Sequence, residues 1–185
     1  MNYSNTSNKK DDEWGIEPRS SSADLHRKCS QKSLDYNGAR EKALRLLEFR
    51  SHSEKELSDK LKRAGATTED IEKVLDFCRE YGFVNDERYA IGKARDLKNL
   101  KKYGRNRIVQ ELYSKGISRE NIETALYELD EDEEDMLYPL VKKKLGGDFE
   151  RKNIDKCIRY FIYRGYELRD IKSCIERIKG EADEM

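Results

Sequence analysis

This sequence predicts an all-α fold, a tandem array of three three-helix repeats forming an elongated, curved body, and three observations lead there. Charged residues make up 41% of the chain, hydrophobic ones 36%, and Pro occurs only twice, a balance that favours helices with broad solvated faces over a thin core. A glycine-centred segment recurs as "DKLKRAGATTEDI" (Asp59 to Ile71), "QELYSKGISRENI" (Gln110 to Ile122) and "RYFIYRGYELRDI" (Arg159 to Ile171), with its glycines Gly65, Gly116 and Gly165 separated by 51 and 49 residues. Around those glycines the apolar positions fall into register. Leu57, Ile108 and Cys157 precede the glycine by eight residues; Leu61, Leu112 and Phe161 precede it by four. Ile71, Ile122 and Ile171 follow it by six, and Leu75, Leu126 and Ile175 extend that set by one i, i+4 step along a helical face.

The elements follow in order. Residues 1–37 are rich in Ser, Asn, Asp and Lys, and their scattered apolar residues (Trp14, Ile16, Leu25, Leu34) have no sustained period, so a disordered or weakly ordered tail is expected. Trp14 reads as a stray aromatic on the body more readily than as a partner anchor. Three units are expected at 38–84, 85–130 and 131–180, with a short tail at 181–185. Each opens on an amphipathic helix: Ala43, Leu46 and Leu47 mark it in unit one, Tyr89, Ala90, Ala94 and Leu97 in unit two, Met136, Leu137, Leu140 and Val141 in unit three. The second helix ends at the repeat glycine, which suits the left-handed residue that closes a helix. The third begins at Thr67, Ser118 or Glu167, the first two being good N-caps. Ser53 with Glu56 fits a capping box on the second helix of unit one, and Asn85 or Asp86 caps the first helix of unit two. The acidic run Asp130 to Asp135 precedes a helix, where carboxylates favour the positive end.

Units of this size bury too little surface to stand alone, so neighbours must stack and share a core. The segment Gln110 to Ile122 has the outline of a DNA-reading helix-turn-helix. Its second helix would present Arg119, Glu120 and Asn121 to the major groove, and the equivalent residues of unit one are Thr68, Glu69 and Asp70; carboxylates there repel phosphate. A packing turn used three times explains it better.

Lys plus Arg and Asp plus Glu both number 38, so the total charge points to no particular partner, but the charges are segregated. From Glu87 to Ser118 nine basic residues face three acids, and from Arg119 to Asp135 one basic residue faces nine acids. The densest stretch, "KARDLKNLKKYGRNR", holds Lys93, Arg95, Lys98, Lys101, Lys102, Arg105 and Arg107 against the single acid Asp96. Helical spacing turns Leu97 and Leu100 to the core and Lys98, Lys101, Lys102 and Arg105 to solvent. Unit three adds Arg151, Lys152, Lys156, Arg159 and Arg164 beside Tyr160 and Tyr163, which either stack on bases or cover the adjoining helix, the second reading being favoured. These twelve cations are the candidate surface for a protein partner or DNA.

Other functions find little support. No apolar run is long enough for a membrane span or a signal peptide, so a cytoplasmic protein with no membrane partner is expected. Cys29, Cys78, Cys157 and Cys174 show no CxxC spacing, and the last three sit at apolar helical positions as reduced core thiols do, so no metal is expected. His26 and His52 are the only histidines, no phosphate-cradling glycine loop is visible, and neither an enzyme nor a cofactor is expected.

The tandem units, "SEKEL" (Ser53 to Leu57), "NDERYA" (Asn85 to Ala90) and "YGRNRIVQELYSKGI" (Tyr103 to Ile117), in that order and spacing, resemble the bacterial RecX family over roughly Ala39 to Ile178. The resemblance is strongest in units one and two; "LGGDFERKN" is less typical of the third. It implies a regulatory protein without enzymatic activity that binds the RecA recombinase filament on single-stranded DNA; a monomer is expected. In such proteins the body lodges in the filament groove, touching recombinase protomers and DNA. The usual result is to limit filament growth, ATPase, strand exchange and coprotease activity in recombination, DNA repair and the SOS response. Members vary between inhibiting and assisting. The alternative reading of the residues is a stand-alone helical nucleic-acid-binding protein that uses the basic face.

Overall fold

The computed structural model describes residues 34–129 and 133–183. Nine α-helices occur among them, and no strand: α1 (Tyr36–Phe49), α2 (Glu54–Arg63), α3 (Thr68–Glu80), α4 (Asp86–Asn99), α5 (Arg105–Ser114), α6 (Arg119–Tyr127), α7 (Glu133–Leu145), α8 (Arg151–Tyr163) and α9 (Leu168–Asp183). Extensive helix-to-helix packing stays within the triplets α1–α3, α4–α6 and α7–α9. Each triplet has its own core in place of the expected one shared between neighbours: Ala39, Leu57, Leu61, Val74 and Cys78 in the first, Ala90, Ala94, Leu97, Leu112 and Ala125 in the second, Leu137, Val141, Phe161, Ile171 and Cys174 in the third. The apolar positions aligned on the glycines are buried in all three units.

Local chemistry explains where the helices begin and end. Thr67 and Ser118 accept from the backbone N–H three residues on and open α3 and α6. Asn85 opens α4 in the same way, accepting from Arg88 N at 2.8 Å. Gly65, Gly116 and Gly165 all take the left-handed conformation (φ 91°, 79° and 91°), so the chain leaves α2, α5 and α8 by the same turn. Cys78, Cys157 and Cys174 are buried thiols with no disulfide among the described residues, and burial pushes the thiols of Cys78 and Cys157 up.

Several local expectations are corrected. Leu100 is 78% exposed: its backbone is still helical and its N–H bonds to Asp96 O, but as the C-cap of α4 it lies beyond Leu97, the last residue of the helix buried in the core. The capping box at Ser53 is only half formed: Ser53 Oγ accepts from Glu56 N at 3.2 Å, but the Glu56 carboxylate turns outward to other partners. α1 begins at Tyr36 with Asp35 as its cap, and Leu34 N donates to Gly65 O at 3.1 Å, so 34–37 belong to the first unit. α9 continues through Asp183. Trp14, His26, Cys29 and the rest of the tail through residue 33 lie outside the described residues, as do residues 130–132 of the acidic run.

Candidate partner-binding surface

The charged residues must be read at the two junctions between triplets, because there the sequence brings distant segments together. At the first junction the contacts are made by side chains. Ser53 Oγ donates to Lys115 O (2.8 Å), Asp86 Oδ1 accepts from Glu54 N (2.9 Å), and Arg79 pairs with Glu54 (2.7 Å). Glu56, with a side chain only 15% exposed, is held by Arg50 (3.1 Å) and Lys115 (2.7 Å), and the Tyr89 hydroxyl donates to it. Burial by itself would raise the Glu56 pKa, but the hydrogen bonds and charges of Arg50 and Lys115 outweigh it and hold the carboxyl down at about 2. The Tyr89 hydroxyl is pushed up to about 12, by burial first and then by Glu56. Nearby His52 is buried, with Nδ1 2.9 Å from Arg50 O and Nε2 without a hydrogen-bond partner among the described residues; burial lowers its pKa. Charge at this junction is neutralised internally.

The second junction is built on backbone. Gly104 N donates to Arg164 O (2.9 Å) and Asn106 N to Gly165 O (3.2 Å). A Cβ on Gly104 would lie 2.7 Å from Gly165 backbone atoms, and one on Gly165 would lie 2.2 Å from Arg107 N, so both positions need glycine for the approach. Around this seam the α4–α5 loop, α7 and α8 enclose a cleft of about 590 Å³, lined by Leu100, Lys101, Lys102, Tyr103, Leu140, Lys143, Lys144, Tyr160, Phe161 and Arg164. Arg164 Nη1 donates to Lys101 O (2.5 Å) and the Tyr166 hydroxyl to Lys102 O (3.2 Å), which ties the loop to α8. Lys102 itself sits at φ 53°, a left-handed conformation that a non-glycine residue adopts at some cost. The Tyr160 ring has Lys144 Nζ and the Arg164 guanidinium each 4.7 Å from its centroid. The Tyr103 ring has Lys101 and Arg107 at 5.7 Å and Arg164 at 6.0 Å.

The twelve expected cations are therefore divided. Lys101, Lys102 and Arg164 meet in the cleft. Arg107 stands at its edge, 5.6 Å from the Tyr163 centroid and paired with Glu111 at 2.9 Å. Arg95 pairs with Glu128 (3.2 Å), and Lys98 Nζ donates to Leu129 O (2.6 Å), so neither is a simple solvated charge. Lys93 faces a separate hollow with Arg50, Arg88 and Asp96. Arg105 lies exposed on the first turn of α5, and Arg151, Lys152, Lys156 and Arg159 are exposed along α8 outside the cleft. Tyr163 is 74% exposed and covers no helix, whereas Tyr160 contributes its ring to the cleft. The expected set lacked Lys143 and Lys144. Their signal is the run "KKKL" at the end of α7, which by itself reads as cations favouring a helix C-terminus.

The model of the RecX second three-helix domain matches residues 85–126, and that of the RecX first three-helix domain matches 39–78. The regulatory protein RecX of Cronobacter sakazakii is 35% identical over 154 residues, covering 75% of this chain and 90% of that protein. The chain belongs to the RecX family. RecX of Salmonella heidelberg is 36% identical over 146 residues, covering 71% of this chain and 86% of its own length. A crystal structure of RecX from Lactobacillus salivarius has the same fold, with a TM-score of 0.69 at 23% identity over 78% of this chain and 96% of that one. Family members are regulatory proteins rather than enzymes. No described helix is long and apolar enough to cross a membrane.

Proposed function

We propose that this RecX-family chain binds the RecA recombinase filament on single-stranded DNA and limits its growth, ATPase, strand exchange and coprotease activity. The observation that supports this reading most directly is family membership, joined to a positive surface on the second and third units that no internal carboxylates cancel at Lys101, Lys102 and Arg164. In the proposed surface Lys93, Arg95, Lys98, Lys101, Lys102, Arg105 and Arg107 come from unit two, and Arg151, Lys152, Lys156, Arg159 and Arg164 from unit three. Facing the acidic protein and phosphate surfaces of a nucleoprotein filament, such charges would raise the rate of encounter and fix orientation more than they would add raw affinity.

The test is filament ATP turnover and disassembly with the purified chain present. The wild-type protein should slow turnover and speed disassembly. A variant carrying Lys98→Glu, Lys101→Glu, Lys102→Glu and Arg105→Glu should lose at least about tenfold in filament affinity. A matched variant of unit one, with Lys42→Glu, Lys60→Glu, Lys62→Glu and Lys73→Glu, should keep it. No effect of the wild-type protein on the filament sinks the proposal. Equal, steeply salt-dependent affinity for bare single-stranded DNA and for the filament would instead favour the stand-alone nucleic-acid binder.

A further inference from the structure

The cleft at the second junction has a property that its neighbours lack. At the first junction and along α4 to α6 several cations are answered by carboxylates: Arg50 and Lys115 by Glu56, Arg79 by Glu54, Arg95 by Glu128, Arg107 by Glu111. Lys142, the first of three consecutive lysines, pairs with Glu181 at 3.0 Å. The next two, Lys143 and Lys144, turn to the cleft, where they meet Lys101, Lys102 and Arg164 from two other elements. Among the described residues no acidic one lines the cleft, and no carboxylate pairs with any of these five cations. Aromatic rings and backbone carbonyls hold Lys101, Lys144 and Arg164 instead, which fixes their positions without cancelling their charge.

Five cationic residues line one cleft of about 590 Å³; like charges so gathered repel, and a bound polyanion would relieve that repulsion. The volume lies in the range of small-molecule sites, which is about 300–1,000 Å³. Tyr103 and Tyr160 are each flanked by two or more cationic groups, so their π surfaces already serve the cations and are poorly placed to stack successive bases as a single-strand platform would. Phosphate groups, not base faces, therefore match this lining. Their sites must be close together, because the cations converge in one cleft rather than along an extended groove.

We propose that this cleft binds the triphosphate of a nucleoside triphosphate, with Lys101 and Lys102 on one side and Lys143, Lys144 and Arg164 on the other. Among the described residues no carboxylate or histidine lines the cleft, and what is proposed is binding alone. It would bridge the α4–α5 loop of unit two to α7 and α8 of unit three, and so stiffen the junction. The bound state of this site would then report nucleotide level to whatever surface the two units share.

The inference stands apart from filament binding, and its test contains no filament. Isothermal titration of the full chain at physiological salt should show ATP and inorganic tripolyphosphate binding with similar affinity, adenosine not binding, and ATP raising the melting temperature by mass action. Lys143→Gln with Lys144→Gln, and separately Lys101→Gln, should each weaken ATP by about tenfold or more, while Lys60→Gln with Lys62→Gln should leave it unchanged. Circular dichroism checks that each variant keeps its helicity. The proposal is overturned if ATP does not bind at millimolar concentration or if the cleft variants bind it as wild type does. It is equally overturned if a single-stranded oligonucleotide or an acidic peptide of matched charge binds more tightly than ATP and loses that affinity in the Lys143→Gln with Lys144→Gln variant.

Discussion

The two junctions solve the same packing problem with different chemistry. Ser53 and Gly104 are equivalent residues, each twelve positions before its repeat glycine and each the N-cap of a second helix, and both contact the carbonyl just before the next unit's glycine. Ser53 reaches Lys115 O with its hydroxyl; Gly104 reaches Arg164 O with its backbone N–H. A side chain at the first position makes the contact there, and Glu54, Glu56 and Asp86 form a charge-balanced network with Arg50, Arg79 and Lys115. Its absence at the second lets the backbones touch, and the neighbouring cleft keeps its cations without carboxylate partners. One substitution in a repeated motif thus separates a structural joint from a candidate binding site.

That contrast can be broken at defined points. The largest effect should come from Gly165→Ala, which forces a Cβ into the left-handed region and against the backbone of Arg107 at 2.2 Å, atoms that cannot yield without moving α5. A loss of at least about 3 kcal/mol in urea unfolding is expected, and retention of stability would contradict the seam between units two and three. Next is Glu56→Gln, which removes the charge shared by Arg50 and Lys115 and should cost about 2 kcal/mol at neutral pH. Because the folded pKa of Glu56 lies below its ordinary 4.5, its contribution is complete above about pH 4.5 and is lost as pH falls through about 2. Wild type and variant should therefore differ in urea midpoint at pH 7 and converge near pH 2; a constant gap would show that the carboxylate is not the cause. The smallest is Gly116→Ala, with the same left-handed strain (φ 79°) but a Cβ that meets the Lys55 side chain rather than another backbone. About 1 kcal/mol is expected, and equality with Gly165→Ala would erase the distinction between the two joints.

The sequence by itself determined the fold class, because what makes each helix is local. Apolar residues at i and i+4, a hydroxyl N-cap at Thr67 or Ser118, and a glycine free to adopt positive φ act within a few residues of one another, and their recurrence at intervals of 51 and 49 exposes the three units. The same local reasoning failed at Leu100, which keeps the helical backbone but lies past the end of its unit's core. It half failed at Glu56, whose carboxylate left its own cap for Lys115, 59 positions away. The candidate site was legible only as a basic stretch. Which of its charges remain uncancelled depends on side chains brought together from segments far apart in the chain: Glu128 answers Arg95, Glu111 answers Arg107, and Lys143 and Lys144 join Lys101, Lys102 and Arg164. Charges act through space over about a screening length, and periodicity along the chain carries no information about distance across a joint. Only the close contact at Gly104 and Gly165 decided that the cations of units two and three would face one another.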